Sequence, residues 1–354
     1  MSVRPVSGPQ ASLRSRSSGY VPSLDGLRAV GIILVFVHHL ITPLPFGGAV
    51  GVDIFFVLSG YLITSILLRE YDRLGRISLR RFYLRRAARL YPALLTVMVI
   101  LFVPGLLFAP SIKAYLIENA LAATYTTPIA LQVSDTAAWA WRHTWSLGIE
   151  EMFYLLWPVL LIGVLTQKRV RAHAVLGVTC IGLILLAAGV ALEAAGEPES
   201  LLLRSGGLFL GCALALRTMR SSGRAGGWVS SSKTAWIGAS IILGAVVLAS
   251  MDGVLALPVL LTVLGSTAIL AHITSGSHGQ LARLLSWAPL TYTGKISYEL
   301  YLWHYPLLII SSWALDADPL SVAIVVGPLS IVAAATTHHV LTPWVERLKS
   351  RASA

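Results

Sequence analysis

Ten stretches of 17 to 24 residues with few charges recur along the chain, and that repetition constrains the fold more than any single motif. They cover residues 24–43, 49–69, 88–108, 147–165, 173–193, 201–217, 233–250, 254–272, 289–312 and 319–341. A stretch of about 20 apolar residues is what a helix needs to cross a bilayer. Inside lipid a helix also satisfies its own backbone polar groups, which an irregular segment does not. Composition agrees: 56% of residues are hydrophobic and only 12% are charged, about half the charge a soluble domain carries. This excludes a soluble enzyme, a nucleic-acid binder and a disordered chain. Cys180 and Cys212 both lie in apolar stretches without metal-ligand spacing, so neither a disulfide framework nor a metal site is expected.

Charge placement gives an orientation. Of 27 Lys and Arg residues, 22 fall in the N-terminal tail, the loops after even-numbered stretches and the C-terminal tail. The loop after the second stretch alone holds Arg69, Arg73, Arg76, Arg80, Arg81, Arg85, Arg86 and Arg89, whereas the alternate loops hold only Lys113 and Arg142. Positive charge stays cytoplasmic, so the expectation is an all-α polytopic membrane protein with about ten transmembrane helices and both termini cytoplasmic. Residues 1–19 are rich in Ser and Arg and read as a disordered cytoplasmic tail. Residues 20–342 form the membrane domain, and residues 343–354 a second cytoplasmic tail. No cleavable leader precedes the first stretch, which is expected to remain as a helix.

Ionisable residues within the stretches mark function, because they are costly in lipid. In the first stretch Arg28 and His39 lie eleven residues apart. At about 100° per residue they return to within about 20° of one direction, separated by ~16 Å of rise. Asp25 lies one turn before Arg28. Asp53 opens the second stretch and Glu150 the fourth, both expected near the depth of His39. In the ninth, Ser297, Tyr301 and His304 share a face at i, i+4 and i+7. Lys295 and Glu299, at i and i+4, are expected to neutralise each other.

Five fragments then carry a resemblance: Leu24-Asp25-Gly26-Leu27-Arg28 followed by His39, Gly51-Val52-Asp53-Ile54-Phe55-Phe56-Val57-Leu58-Ser59-Gly60, Arg85-Arg86-Ala87-Ala88-Arg89-Leu90-Tyr91-Pro92, Trp145-Ser146-Leu147 with Glu150, and Ser297-Tyr298 with His304. Occurring in this order, they resemble the acyltransferase-3 family of membrane O-acyltransferases. The resemblance implies ten membrane helices in the bacterial cytoplasmic membrane and a cytoplasmic acyl-CoA donor, acetyl-CoA by default. The implied acceptor is a hydroxyl on a sugar, a glycoconjugate, or a glycosylated or polyketide-type metabolite such as a macrolide. Some members carry an extra extracytoplasmic hydrolase-like domain, which is not expected here because only a short tail follows the tenth stretch.

The chemistry fits those residues. An imidazole titrates near neutrality, so His39 suits a general base for an acceptor hydroxyl. A carboxylate on its far ring nitrogen would fix its tautomer, with Asp53 and Glu150 as candidates. Arg28, Arg85, Arg86 and Arg89 suit the phosphates of coenzyme A, against the plainer reading that these cations only set topology. Asp25, Tyr301 and His304 are the candidates for acceptor binding. Ser59 lacks a Gly-x-Ser-x-Gly elbow and reads as a packing residue, and Arg204 has no assigned role. Expected partners are a small-molecule or glycan acceptor and membrane lipid, with no nucleic acid. The sequence leaves the oligomeric state open, a homodimer included. The rival is a transporter or flippase for a glycan or metabolite. It would show inverted repeats and broken helices at matching positions, which the sequence lacks.

Overall fold

The apolar stretches fold as helices in the computed structural model, which describes residues 20–41, 47–133, 140–196, 201–220, 231–251, 255–276, 279–315 and 317–353. In chain order the helices are α1 (Pro22–Leu40), α2 (Gly51–Leu74), α3 (Leu79–Phe108), α4 (Ile112–Ala123), α5 (Thr127–Val133), α6 (Trp145–Thr166) and α7 (Lys168–Ala194). Then follow α8 (Leu201–Arg220), α9 (Ser232–Ala249), α10 (Ala256–Thr274), α11 (Gln280–Leu285), α12 (Ala288–Lys295), α13 (Ser297–Ala314) and α14 (Pro319–Ser353). No strand occurs among the described residues. The expected tail at 1–19 lies outside them. Local chemistry sets many ends. Pro22 opens α1 at a position where its missing N–H costs nothing. Gly75, at φ +66°, ends α2 in the left-handed conformation. The Ser78 hydroxyl then caps α3 by accepting from the Arg81 N–H.

Nine helical segments among the described residues are long and apolar enough to cross a membrane, and the chain is an all-α polytopic membrane protein. They match nine of the ten expected stretches. The other, 289–312, is helical but kinked at Ile296 into α12 and α13. There α12 packs along α1. Gly294 allows this close approach, since a Cβ on it would lie 1.8 Å from the Asp25 carbonyl oxygen. At the other end of the chain, α14 continues to Ser353, well past the expected end of the tenth stretch at 341.

The helix α2 forms the centre and is the most buried of the nine. It packs on α1, α6, α8 and α10. Its crossing with α8 is close enough that a Cβ on Gly60 would lie 1.9 Å from the Leu208 carbonyl oxygen, and one on Gly211 2.1 Å from that of Val57. Small residues of this kind let membrane helices approach through their backbones. The N-terminus of α2 also packs beside Gly31, halfway along α1, rather than level with the end of α1. That offset decides where Asp53 falls.

Candidate functional site

The helix α13 meets α1 at two levels. At the lower one, Arg28 donates from Nη2 to Ser297 Oγ at 2.9 Å, with Asp25 4.0 Å from the guanidinium. At the upper one, His39 Nδ1 lies 3.0 Å from His304 Nε2. Arg28 and His39 therefore face one helix, as their spacing implied. Ser297 and His304 are seven residues apart, a rise of ~10 Å.

A cavity of about 220 Å³ occupies the lower level and reaches up to Tyr301 and Ser146. Three arginines line it: Arg28, Arg86 and Arg89. Arg86 places its guanidinium 3.5 Å above the Tyr154 ring and 3.4 Å from a Glu151 carboxylate oxygen. Arg89 makes no hydrogen bond or ion pair among the described residues, so where it lines the cavity it is available to a ligand anion. Glu150 also lines the cavity, where Ser59 Oγ donates to its Oε1 at 2.7 Å. Phe55, Leu62 and Ile66, one stripe of α2, supply an apolar wall. Tyr125, at the end of α4, adds a phenol that burial pushes above its usual range, which keeps it a neutral donor.

Tyr301 closes the top of the cavity. Its hydroxyl donates to the His143 carbonyl and so accepts from Ser146 Oγ at 2.8 Å. Above it the His39 and His304 rings pack with Tyr305, whose ring centroid lies 4.8 Å from that of His39. The buried His143 ring lies 5.7 Å from that of His304.

Several expected placements change. Asp53 is not near His39: α2 begins level with Gly31, which sets Asp53 ~15 Å below that histidine at 1.5 Å per residue. There it pairs with Arg204 Nη1 at 2.5 Å, fully buried. Glu150 lies at the lower level with Ser59, so neither carboxylate meets His39; its Nδ1 partner is His304. Arg85 turns away from the cavity and pairs with Glu70 at 3.1 Å, because Glu70 sits at the end of α2 where it also accepts from the Ser78 N–H. Asp25 accepts from the Tyr20 hydroxyl at 2.7 Å and does not line the cavity. His304 is buried beneath His39 and does not line it either, whereas Tyr301 does. Glu299 pairs with His338 at 3.1 Å instead of Lys295, and Lys295 sits over the Tyr20 ring. Sequence reasoning missed His143, Tyr154 and the part Ser59 plays. His143 lies two residues before the Trp145-Ser146 motif, but only the bonds of the Tyr301 hydroxyl to Ser146 and the His143 carbonyl bring it to His304. Among the described residues no group of three or more His, Cys, Asp or Glu is arranged to hold a metal ion.

Comparison with known proteins places this geometry in context. A family model described as an acyltransferase domain matches residues 21–339. The O-acetyltransferase OatA of Staphylococcus aureus is 30% identical over 320 residues, covering 83% of this chain and 51% of that protein. The peptidoglycan O-acetyltransferase OatA of Listeria monocytogenes is 34% identical over 322 residues, 85% of this chain and 51% of that one. The putative peptidoglycan O-acetyltransferase YrhL of Bacillus subtilis is 33% identical over 315 residues, 83% of this chain and 49% of that one. The chain thus spans about half the length of the curated relatives it matches. No solved structure matches it.

Proposed function

We propose that the chain, which belongs to the acyltransferase family, moves an acyl group, acetyl by default, from acyl-CoA to a hydroxyl of a glycan acceptor in the bacterial cytoplasmic membrane. The observation that carries this reading is the convergence of Arg28, Arg86 and Arg89 on one cavity with an apolar wall. Three guanidinium groups suit the phosphates of coenzyme A. The apolar stripe Phe55, Leu62 and Ile66 suits a pantetheine arm, whose amides find a hydrogen-bond acceptor in Glu150. Arg85, tied to Glu70, leaves the donor set.

Chemistry falls to the upper level. His39 takes the proton of the acceptor hydroxyl, and the oxygen attacks the thioester carbonyl. The carbon–sulfur bond breaks, and the coenzyme leaves as a thiolate that takes up a proton. Proton removal in the transition state contributes roughly 10²–10⁴ in rate. The extended arm of a donor anchored at the lower level gives the ~16 Å between Arg28 and His39 a purpose. Tyr301 stands where the arm would pass from the cavity to His39, so its bonds to Ser146 and the His143 carbonyl have to open for passage. Relatives bearing the name peptidoglycan O-acetyltransferase favour a cell-wall glycan over a polyketide-type metabolite or macrolide as acceptor.

The test is transfer of label. Purified protein in liposomes, given acetyl-CoA labelled in the acetyl group and soluble peptidoglycan fragments, is expected to yield labelled ester on the glycan. Binding and turnover of acetyl-CoA with only a glycosylated metabolite as acceptor would correct the acceptor. No binding of any acyl-CoA would end the donor assignment.

A further inference from the structure

We propose that His304 is a positioning residue that fixes His39 as its Nδ1–H tautomer and so leaves His39 Nε2 with the free lone pair a base needs. This rests on the reading of His39 as the base.

Two linked bonds carry the inference. His304 Nδ1 lies 3.0 Å from the Leu300 carbonyl oxygen, which only accepts, so the hydrogen of the pair belongs to His304 Nδ1. A neutral imidazole has one N–H, which makes His304 Nε2 an acceptor. His39 Nδ1, 3.0 Å from it, must then be the donor. His39 Nε2 is left unprotonated. The chain from a backbone carbonyl through two rings reads in one direction only while His304 is neutral.

The surroundings hold it neutral. The ring of His304 is fully buried and touches Phe36, His39, His143, Tyr301 and Tyr305. None of these is an anion, and burial disfavours an imidazolium. His38 also lies beside His39, with ring centroids 5.3 Å apart. In a Ser-His-Asp triad a carboxylate serves the same end, by accepting from the far nitrogen of the base. Here a neutral ring accepts instead, which avoids placing a charge in the apolar interior. Proton removal by the wrong tautomer is badly impaired, so the arrangement is a condition for catalysis.

The inference has a direct readout and a kinetic one. In protein labelled with ¹⁵N-histidine and reconstituted in liposomes, with the His39 signals assigned by difference from His39→Asn, Nδ1 is expected to give a pyrrole-like shift and Nε2 a pyridine-like shift near neutral pH. The reverse pattern would overturn the proposal whatever His39 does in catalysis. For the kinetic readout, His304→Gln keeps an acceptor oxygen and is expected to hold kcat within about tenfold of wild type. His304→Leu fills the space without an acceptor and is expected to lower kcat by roughly 10²-fold or more, within the range typical of a disabled base, with the donor dissociation constant unchanged. If Leu is tolerated better than Gln, the residue serves packing and the assignment fails. If the tautomer is as stated but His39→Ala keeps full activity, the base assignment falls and the hydrogen-bond reading stands.

Discussion

His38 and His39 differ by one position in the chain and by what they touch. Only His39 reaches His304 at 3.0 Å, because α1 turns that face toward α13. His39→Ala is expected to lower turnover by roughly 10²–10⁴ with acyl-CoA affinity preserved, and His38→Ala to keep most activity. Equal losses in two well-folded variants, measured as kcat with a separate binding assay, would undo the assignment. Among the arginines the contrast is similar. Each charge-assisted contact to a phosphate is worth about 1.5–3 kcal/mol. Replacing both Arg86 and Arg89 with Gln should therefore raise the donor dissociation constant well over tenfold, by calorimetry or ligand-detected binding. Arg85→Gln should leave that constant near wild type, since its partner is Glu70.

At the level of helices, the crossing of α2 and α8 combines backbone contact at Gly60 and Gly211 with the buried pair Asp53–Arg204. Removing one member of a buried pair strands the other charge and typically costs about 3–5 kcal/mol. Asp53→Leu and Arg204→Met are each expected to lower thermal stability in detergent sharply. The double variant should recover much of the loss, since both charges are then gone. Additive losses would show that the two side chains do not stabilise each other. These helices also show what the sequence could reveal. Length and apolarity mark a membrane helix because lipid demands both over the full span, so nine of the crossings were legible. The kink at Ile296 was not, since it comes from Gly294 meeting the Asp25 carbonyl, a contact between distant segments. Helical phase brought Arg28 and His39 onto one face. It could not choose between Arg85 and Arg86, which flank Arg89 on either side, until Glu70 was placed. Depth is the least legible: the order of stretches puts Asp53 near the depth of His39, whereas α2 starts beside Gly31, which places Asp53 well away from it.

As a whole the molecule turns apolar side chains outward. Val99 and Leu107 on α3 and Val332 on α14 are 73%, 71% and 62% exposed, as a surface facing lipid requires. The charge asymmetry of the loops gives its orientation a test. With Cys180 replaced by Ser, Arg76→Cys is expected to react with an impermeant thiol reagent only from the cytoplasmic side, and Ala317→Cys only from the other. Reaction of both from one side would end the ten-crossing arrangement. The pairing of Asp53 with Arg204 also has a consequence in time. The two residues are 151 positions apart. At 5–20 residues per second of synthesis, Arg204 is made roughly 8–30 s after Asp53. During that interval the carboxyl group on α2 has no guanidinium to meet, and protonation is the cheap way to hold it in an apolar setting. A nascent chain halted before α8 would thus display an unmatched acid in its central helix, the mark of an unfinished fold. Arrival of α8 takes that mark away, so the ion pair dates the chain: α2 matures only when its partner has been born.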